Sequence, residues 1–149
     1  MTAHKNMGCA VILRGFFVVL MSATGIAKLL DMQGFISVVA SYRTLPFVLL
    51  APSAWALALT EVALAVWLAW GRWLYAAALL LMALHLMYLA WLLLALARGM
   101  QLDNCGCFGV YLAQPLTWYS PLEDAVLLSL AFLLWRGARK AGYDEALVH

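Results

Sequence analysis

The sequence predicts an all-α integral membrane protein: a bundle of four transmembrane helices, with a short interfacial helix between the first two. Of its 149 residues, 67% are hydrophobic and only 11% are charged. Soluble domains are usually about half apolar and about a quarter charged, so charges this scarce cannot build a water-soluble surface. The excess apolar surface is therefore expected to face a lipid bilayer, within a single transmembrane domain that spans residues 1–149.

Four long apolar stretches predict the membrane-spanning helices. They lie at about residues 9–30, 46–70, 73–97 and 121–137. A helix needs roughly 20 residues to cross the hydrocarbon core, and the last stretch is just long enough. Inside lipid every backbone polar group must be satisfied within the protein, so these stretches are expected to be helices.

The segment between the first two stretches predicts a shorter helix. Its apolar side chains recur at helical spacing: Phe35, Val38, Val39 and Tyr42. This pattern is typical of an amphipathic helix that lies on the membrane surface. Leu45-Pro46 is expected to end the segment, because the residue before a proline is disfavoured in a helix.

Basic residues near the helix ends predict the orientation in the membrane. With four spans, both termini lie on the same side as the Gly71-Arg72 turn. That side carries Lys5, Arg72, Arg136, Arg139 and Lys140, whereas the other carries Lys28, Arg43 and Arg98. Because basic residues concentrate on the cytoplasmic side, the termini are predicted to be cytoplasmic in the cell (inner) membrane. The loop with Cys105 and Cys107 is then extracytoplasmic.

Two cysteines separated by one residue are the most informative motif, in Asn104-Cys105-Gly106-Cys107-Phe108-Gly109. Two thiols at this spacing close a disulfide only near the edge of the preferred Cα separation of about 4.4–6.8 Å, and Gly106 relaxes the backbone between them. A strained small ring is readily reduced, and it closes too short a loop to add much stability. Cys105 and Cys107 are therefore predicted to be catalytic in thiol–disulfide exchange.

Two other interpretations of the cysteine pair stay open. Two thiolates can hold a soft metal such as Cu(I) or Hg(II), although two ligands rarely complete a site. Alternatively, the pair is a chance occurrence of two small residues at a helix end. Nucleic acid is not an expected partner, because the net charge of +2 is small and spread along the chain.

Two ionisable residues lie inside predicted spans. Glu61 in the second span and His85 in the third lie about 16 and about 20 Å from the Arg72 end, so they can meet at a similar depth. Such groups usually face a partner inside the bundle. A Glu61–His85 pair would bind a quinone or relay protons. In the structural alternative, Glu61 contacts Arg14 or a hydroxyl and His85 a backbone carbonyl.

Two basic residues are predicted to support the site. Lys28 lies near the end of the first span, on the cysteine side, where an ammonium group would favour a thiolate. In the alternative, Lys28 extends its amine to the membrane surface. Arg14 lies early in the first span and either reaches the membrane surface or pairs inward. Cys9 is expected to be a packing residue on the cytoplasmic side, and its role is left open.

Several of these features together resemble the MauE family of methylamine utilisation proteins, a branch of the DoxX-like four-helix membrane proteins. They are Arg14, the stretch 25–31, Tyr42 before Leu45-Pro46, Pro52 followed by Glu61, and Cys105-Gly106-Cys107-Phe108-Gly109. The resemblance covers about residues 10–136. It implies maturation of extracytoplasmic disulfide-containing proteins, beside a thioredoxin-like partner, MauD. In the family setting, the protein matured is the small subunit of methylamine dehydrogenase.

The resulting functional hypothesis is a membrane thiol–disulfide protein. Cys105 and Cys107 would cycle between dithiol and disulfide with a MauD-like partner, and electrons would pass to or from a membrane carrier such as a quinone near Glu61 and His85. The sequence does not set the direction of electron flow. The alternatives are a soft-metal carrier and a non-catalytic membrane subunit of a larger complex.

Overall fold

Five α-helices form the part of the chain that the computed structural model describes, residues 2–111 and 113–146, and this part contains no strand. The helices are α1 (Thr2–Leu30), α2 (Met32–Ser41), α3 (Phe47–Trp70), α4 (Leu74–Ala97) and α5 (Ser120–Ala146). The all-α prediction is confirmed. Side chains are described for residues 8, 10–111 and 113–139. The predictions made for the side chains of Lys5, Cys9 and Lys140 lie outside them.

Local sequence sets the helix boundaries. Asp31 caps α2, because its carboxylate Oδ1 accepts a hydrogen bond from the backbone N–H of Gly34 at 2.9 Å. Pro46 stands immediately before α3, where a missing backbone N–H costs nothing. At the other end of α3, Gly71 adopts a left-handed backbone, and the chain reverses into α4 within three residues.

Arg14 ties α1 to the C-terminal end of α3. Its Nε donates to the carbonyl oxygen of Leu68 and its Nη2 to that of Ala69, both at 2.6 Å. The last carbonyl groups of a helix have no partner within the helix, and the guanidinium supplies donors to two of them. Of the two sequence-based alternatives for Arg14, the structure shows the inward pairing, at the end of the helices away from the cysteines.

One apolar core joins the four long helices. It contains Phe17 and Met21 of α1, Leu64 and Leu68 of α3, Leu81 of α4 and Leu134 of α5, among others. α1 packs along α3, and α4 packs along α5. α3 and α4 make far less contact with each other, although a short turn connects them. The interface between α3 and α4 is therefore less extensive than those between α1 and α3 and between α4 and α5.

Three helical segments are long and apolar enough to cross a membrane: Ala10–Leu30, Phe47–Trp70 and Leu74–Ala97. They match the first three predicted spans. α5 is not among the three, and the fourth predicted span includes Glu123, Asp124 and Arg136. Four membrane spans therefore stay a prediction. Many large apolar side chains of the long helices are exposed, as expected of a surface that faces lipid.

The short helix predicted between the first two spans is present as α2, but its apolar face is not free to lie in the membrane surface. Met32, Phe35 and Val39 are buried against Leu50, Ala54 and Ala58 of α3. α2 follows α1 after a single residue, and this tight connection folds its apolar face back onto α3. The polar face, with Gln33 and Ser37, is exposed.

Candidate functional site: a cysteine pair held against a buried ion pair

The loop between α4 and α5 carries Cys105 and Cys107 to the end of the bundle where α1 ends. Asn104 organises this loop. Its Oδ1 accepts a hydrogen bond from the backbone N–H of Gly106 at 2.8 Å, and its Nδ2 donates to the carbonyl oxygen of Gly109 at 3.0 Å. One side chain thus bridges both ends of the segment that contains the two thiols, and it holds that segment in a single turn.

Two glycines let the loop approach the helices closely. Gly106 and Gly109 have φ values of +78° and +71°, a region that residues with a Cβ rarely adopt. A Cβ at Gly106 would lie 2.9 Å from Cγ1 of Val38 on α2. A Cβ at Gly109 would lie 3.2 Å from the backbone carbonyl carbon of Ala27 on α1. The loop therefore rests directly on the α1 backbone, and a larger residue at Gly109 would displace it.

This close approach predicts the effect of Gly109→Ala, with Gly99→Ala as its matched control. Gly99 also has a positive φ, +67°, but a Cβ there would meet nothing within 4 Å. Gly99→Ala is expected to cost only the left-handed strain, roughly 1–2 kcal/mol. Gly109→Ala is expected to cost at least about 1 kcal/mol more, because the loop must also move. Thermal unfolding in detergent measures both, and equal losses would contradict the prediction.

Two buried side chains fix the backbone carbonyl groups of the cysteines. The hydroxyl of Tyr42, just after α2, donates to the carbonyl oxygen of Cys105 at 2.7 Å. The ammonium Nζ of Lys28, near the end of α1, donates to the carbonyl oxygen of Cys107 at 3.0 Å. The two thiols are therefore positioned from α1 and α2 as well as by their own loop.

Lys28 belongs to a buried ion pair. Lys28 and Glu61 are each about 1% exposed, and Nζ lies 2.7 Å from both carboxylate oxygens of Glu61. The hydroxyl of Tyr88 donates to Oε1 of Glu61 at 2.6 Å. An ammonium has three N–H donors, and those of Lys28 go to Glu61 and the carbonyl of Cys107. Lys28 thus lies beside the cysteines as predicted, and it does not extend to the membrane surface.

His85 pairs with Asp124 instead of Glu61. Nδ1 of His85 on α4 lies 2.8 Å from Oδ1 of Asp124 at the start of α5, and both residues are buried. Tyr88 separates His85 from Glu61, with its ring centroid 6.4 Å from that of His85. The structure therefore does not show the direct Glu61–His85 pair that a similar depth would allow. Tyr88 contacts both residues, through a hydrogen bond to Glu61 and an edge-on ring contact with His85.

The thiols of Cys105 and Cys107 differ in pKa. Cys105 and Cys107 are free cysteines. A hydrogen bond from the Cys107 thiol lowers the pKa of Cys105 to about 7, against the opposing effect of burial. The same hydrogen bond, together with burial, raises the pKa of Cys107 well above its usual range. Near neutral pH the pair therefore holds a thiolate at Cys105 and the shared proton on Cys107.

Tyr42 keeps its hydroxyl proton beside this thiolate. Burial, and then the negative charge of either cysteine, raises the pKa of Tyr42 well above its usual value. The hydroxyl therefore remains a hydrogen-bond donor to the carbonyl of Cys105 throughout the neutral range. Its ring also packs edge-on against Trp91 of α4, with centroids 6.2 Å apart.

A cavity of about 320 Å³ adjoins the cysteine pair. Its walls come from the end of α1, from α2, α3 and α4, and from the cysteine loop. The lining includes Cys105 and Cys107, together with Lys28, Phe35, Tyr88 and Trp91. Glu61 and His85 do not line this cavity. The region that the sequence indicated for a small-molecule carrier is therefore not where the structure provides the space.

Four residues of the site were missed by sequence reasoning: Tyr42, Tyr88, Asn104 and Asp124. The periodicity of the sequence predicts Tyr42 only as part of the apolar face of α2, and Asp124 lies near the start of the fourth predicted span with no predicted role in the site. Tyr88 lies one helical turn after His85, a spacing that marks it as a neighbour but not as the partner of Glu61. Asn104 directly precedes the cysteine motif. An asparagine just before a glycine-containing turn often hydrogen-bonds the backbone of that turn, and this pattern could have identified Asn104 from the sequence.

Protein metal sites usually combine three or more side-chain ligands, a requirement that can be compared with the described residues. No cluster there brings together three or more His, Cys, Asp or Glu side chains that would hold a metal ion. The two cysteines thus have no third such ligand in the part of the chain that the structure describes.

The fold and the site define a helical membrane protein with a two-cysteine loop anchored on a buried ion pair. The chain belongs to the family described as methylamine utilisation protein MauE, whose family model matches residues 7–137. The methylamine utilization protein MauE of Paracoccus denitrificans is 34% identical over 125 residues, covering 84% of this chain and 67% of the relative. No solved structure matches the chain. The resemblance noted in the sequence is thereby confirmed.

Proposed function

We propose that this protein is a membrane thiol–disulfide exchange protein that supports the maturation of extracytoplasmic disulfide-containing proteins. Cys105 and Cys107 cycle between dithiol and disulfide with a thioredoxin-like partner that resembles MauD. Membership of a methylamine utilisation family supports methylamine dehydrogenase as the protein whose assembly depends on this cycle. The observation that carries the proposal is the pair of free thiols on one short loop, which Tyr42 and Lys28 hold by its backbone carbonyl groups beside a cavity.

The exchange proceeds through a mixed disulfide. The thiolate of Cys105 attacks one sulfur of the partner's disulfide, which forms an intermolecular S–S bond and releases a partner thiolate. Cys107 gives up its proton, attacks Sγ of Cys105 and releases the second partner thiolate. Two electrons pass from this protein to its partner, and the reverse sequence oxidises the partner instead. The lower pKa assigns the first attack to Cys105.

Exposed basic residues support a cysteine loop outside the cytoplasm. Lys28 is neutralised inside the protein, so the exposed basic side chains near the cysteine end reduce to Arg43 and Arg98. The opposite end carries three exposed arginines among the described side chains: Arg72, Arg136 and Arg139. Leaving Lys28 out of the count increases the excess of basic residues at the end opposite the cysteines. Basic residues concentrate on the cytoplasmic side, so this excess favours cytoplasmic termini.

We propose α5 as the fourth membrane span, in a DoxX-like four-helix bundle. α5 packs along α4 and contributes Ala131 and Leu134 to the shared core. The charged side chains of α5 lie outside the lipid-facing middle of the helix. Glu123 lies in the first turn, Asp124 is buried on His85, and Arg136 follows the apolar stretch. Charged residues at span ends, or paired inside the bundle, are compatible with a membrane.

Trapping of the mixed disulfide tests the proposed function. The full chain in membranes, with Cys9→Ala to remove the third cysteine, is mixed with a thioredoxin-like domain that lacks its resolving cysteine and carries its remaining cysteine as a disulfide with thionitrobenzoate, the leaving thiolate of the exchange. Cys107→Ala is expected to accumulate a covalent complex through Cys105, since no second thiol resolves it. Cys105→Ala is the matched control, and it is expected to trap less complex, because burial still raises the pKa of the Cys107 thiol when its hydrogen bond to Cys105 is gone.

Two results would overturn the proposal. In the first, neither single-cysteine variant forms a complex that a reductant reverses. In the second, cells with both cysteines replaced still mature their extracytoplasmic disulfide proteins at the normal rate. A membrane-impermeant maleimide added to intact cells tests the orientation separately, because it is expected to label Cys105 without cell lysis.

A further inference from the structure

The cavity beside the cysteines is positioned to receive a ligand from the membrane. It lies where α3 and α4 make little contact, although they are neighbours in the chain. Ala56 of α3 and Met87 of α4 line the cavity, and both are exposed on the outer surface of these apolar helices. A lipid-soluble molecule can therefore enter sideways between α3 and α4.

The walls of the cavity favour a planar ring. Phe35 of α2 and Trp91 of α4 contribute aromatic surfaces, and the lining is almost entirely apolar apart from the end near the cysteines. A volume of about 320 Å³ lies at the low end of ligand pockets, which suits one substituted ring. The donors of Lys28 are already committed to Glu61 and the loop. The cysteines themselves are the reactive groups that such a ring would meet.

The number of electrons and protons exchanged by the cysteine pair indicates which class of ring compound could react with it. Oxidation of the pair, one thiolate and one thiol, to a disulfide releases two electrons and one proton. The chain has only one further cysteine, Cys9, so it contains no second dithiol to take them. When the thioredoxin-like partner has reduced the pair, the electrons must leave to a separate molecule, and an acceptor that enters from the membrane must take two electrons with two protons and dissolve in lipid.

We propose that this cavity binds the ring of a lipid-soluble quinone, which exchanges two electrons with Cys105 and Cys107. This inference rests on the proposed thiol–disulfide function. It places the quinone against the cysteine loop, between α3 and α4, instead of between Glu61 and His85.

The reaction balances as follows. Sγ of Cys105 adds as thiolate to a ring carbon, and the ring oxygen takes the proton of Cys107. Cys107 then attacks Sγ of Cys105, the S–S bond forms, and the electron pair of the broken C–S bond passes to the ring. A second proton from water completes the quinol. The net change is one thiolate, one thiol, one proton and one quinone converted into one disulfide and one quinol.

Reoxidation kinetics test the inference. The full-length protein is reduced in lipid nanodiscs, freed of reductant and mixed with decyl-ubiquinone. One quinol is expected per disulfide formed, measured by ultraviolet absorbance and by mass spectrometry after alkylation. Ala56→Phe narrows the entrance and is expected to raise the quinone concentration for half-maximal rate at least tenfold. Ala63→Phe, two turns along α3 and outside the cavity, is the matched control. It is expected to change the quinone concentration for half-maximal rate less than twofold.

The outcomes separate this inference from the proposed function. If the wild type exchanges with a thioredoxin-like domain but decyl-ubiquinone neither oxidises it nor forms quinol, the quinone site is refuted and the proposed function stands. If the pair exchanges with neither, both fail. Equal effects of Ala56→Phe and Ala63→Phe would show that the quinone reacts elsewhere, and they would also refute the site.

Discussion

Glu61→Gln is expected to lower the free energy of unfolding by about 3–5 kcal/mol, the cost of removing one partner from a buried ion pair. The substitution leaves the ammonium of Lys28 buried without a countercharge. Unfolding of the purified protein in mixed micelles by increasing denaturing detergent measures the loss. Tyr88→Phe is a milder comparison, because it removes one hydrogen bond to the carboxylate and leaves the charge pair intact.

The double variant Lys28→Met/Glu61→Met distinguishes two causes of the stability loss in Glu61→Gln: an unpaired buried charge and altered side-chain packing. Because neither charge remains buried, most of the stability lost in Glu61→Gln is expected to return. The carbonyl oxygen of Cys107 still loses its donor, so the loop is expected to stay loosened and its cysteines to be alkylated faster than in the wild type. A double variant less stable than Glu61→Gln would contradict the pairing argument.

Cys107→Ala is expected to slow the alkylation of Cys105 by more than about tenfold at pH 7. The thiol of Cys107 is the largest influence that lowers the pKa of Cys105 to about 7, and without that donor the opposing effect of burial raises the pKa, although backbone N–H groups of the loop still lower it in part. Only the thiolate reacts, so a pKa increase of one unit or more lowers the reactive fraction several-fold, and larger increases lower it about tenfold per unit. Cys107→Ser is the matched control, because its hydroxyl still donates.

The pH dependence of Cys105 alkylation shows in which direction Cys107 shifts the pKa of Cys105. Below about pH 7 the wild-type pair carries two protons and reacts slowly, and the rate rises through a midpoint near pH 7 as Cys105 becomes a thiolate. In Cys107→Ala the midpoint is expected to move to higher pH. Iodoacetamide labelling followed by mass spectrometry of the loop gives the profile. An unchanged midpoint would show that Cys107 does not control its neighbour.

These two predictions describe one arrangement in which the ion pair positions the reactive loop. A buried ion pair adds little net stability compared with apolar residues of similar size. Lys28, however, links Glu61 to the carbonyl of Cys107, so the pair connects the interior of the bundle to the thiols. A positioning role explains why a costly charge lies inside so apolar a protein.

The sequence by itself determined the helices, the lipid-facing surface and the cysteine motif. Helices form wherever long apolar segments must satisfy their backbone groups internally, and this depends on local composition alone. The starts of α3 and α4 fall within one residue of their predicted positions for the same reason. The Cys105–Cys107 pair is also a local signal, since its chemistry follows from the spacing of two thiols.

Tertiary structure decided which charges meet and where a ligand fits. Counting residues placed Glu61 and His85 at a similar depth, but the rotation of each helix about its axis selected Lys28 and Asp124 as their partners. Rotation depends on how whole faces pack, which no single segment encodes. The cavity likewise exists because α3 and α4 pack mainly on other helices, and this choice among neighbours is a property of the folded bundle.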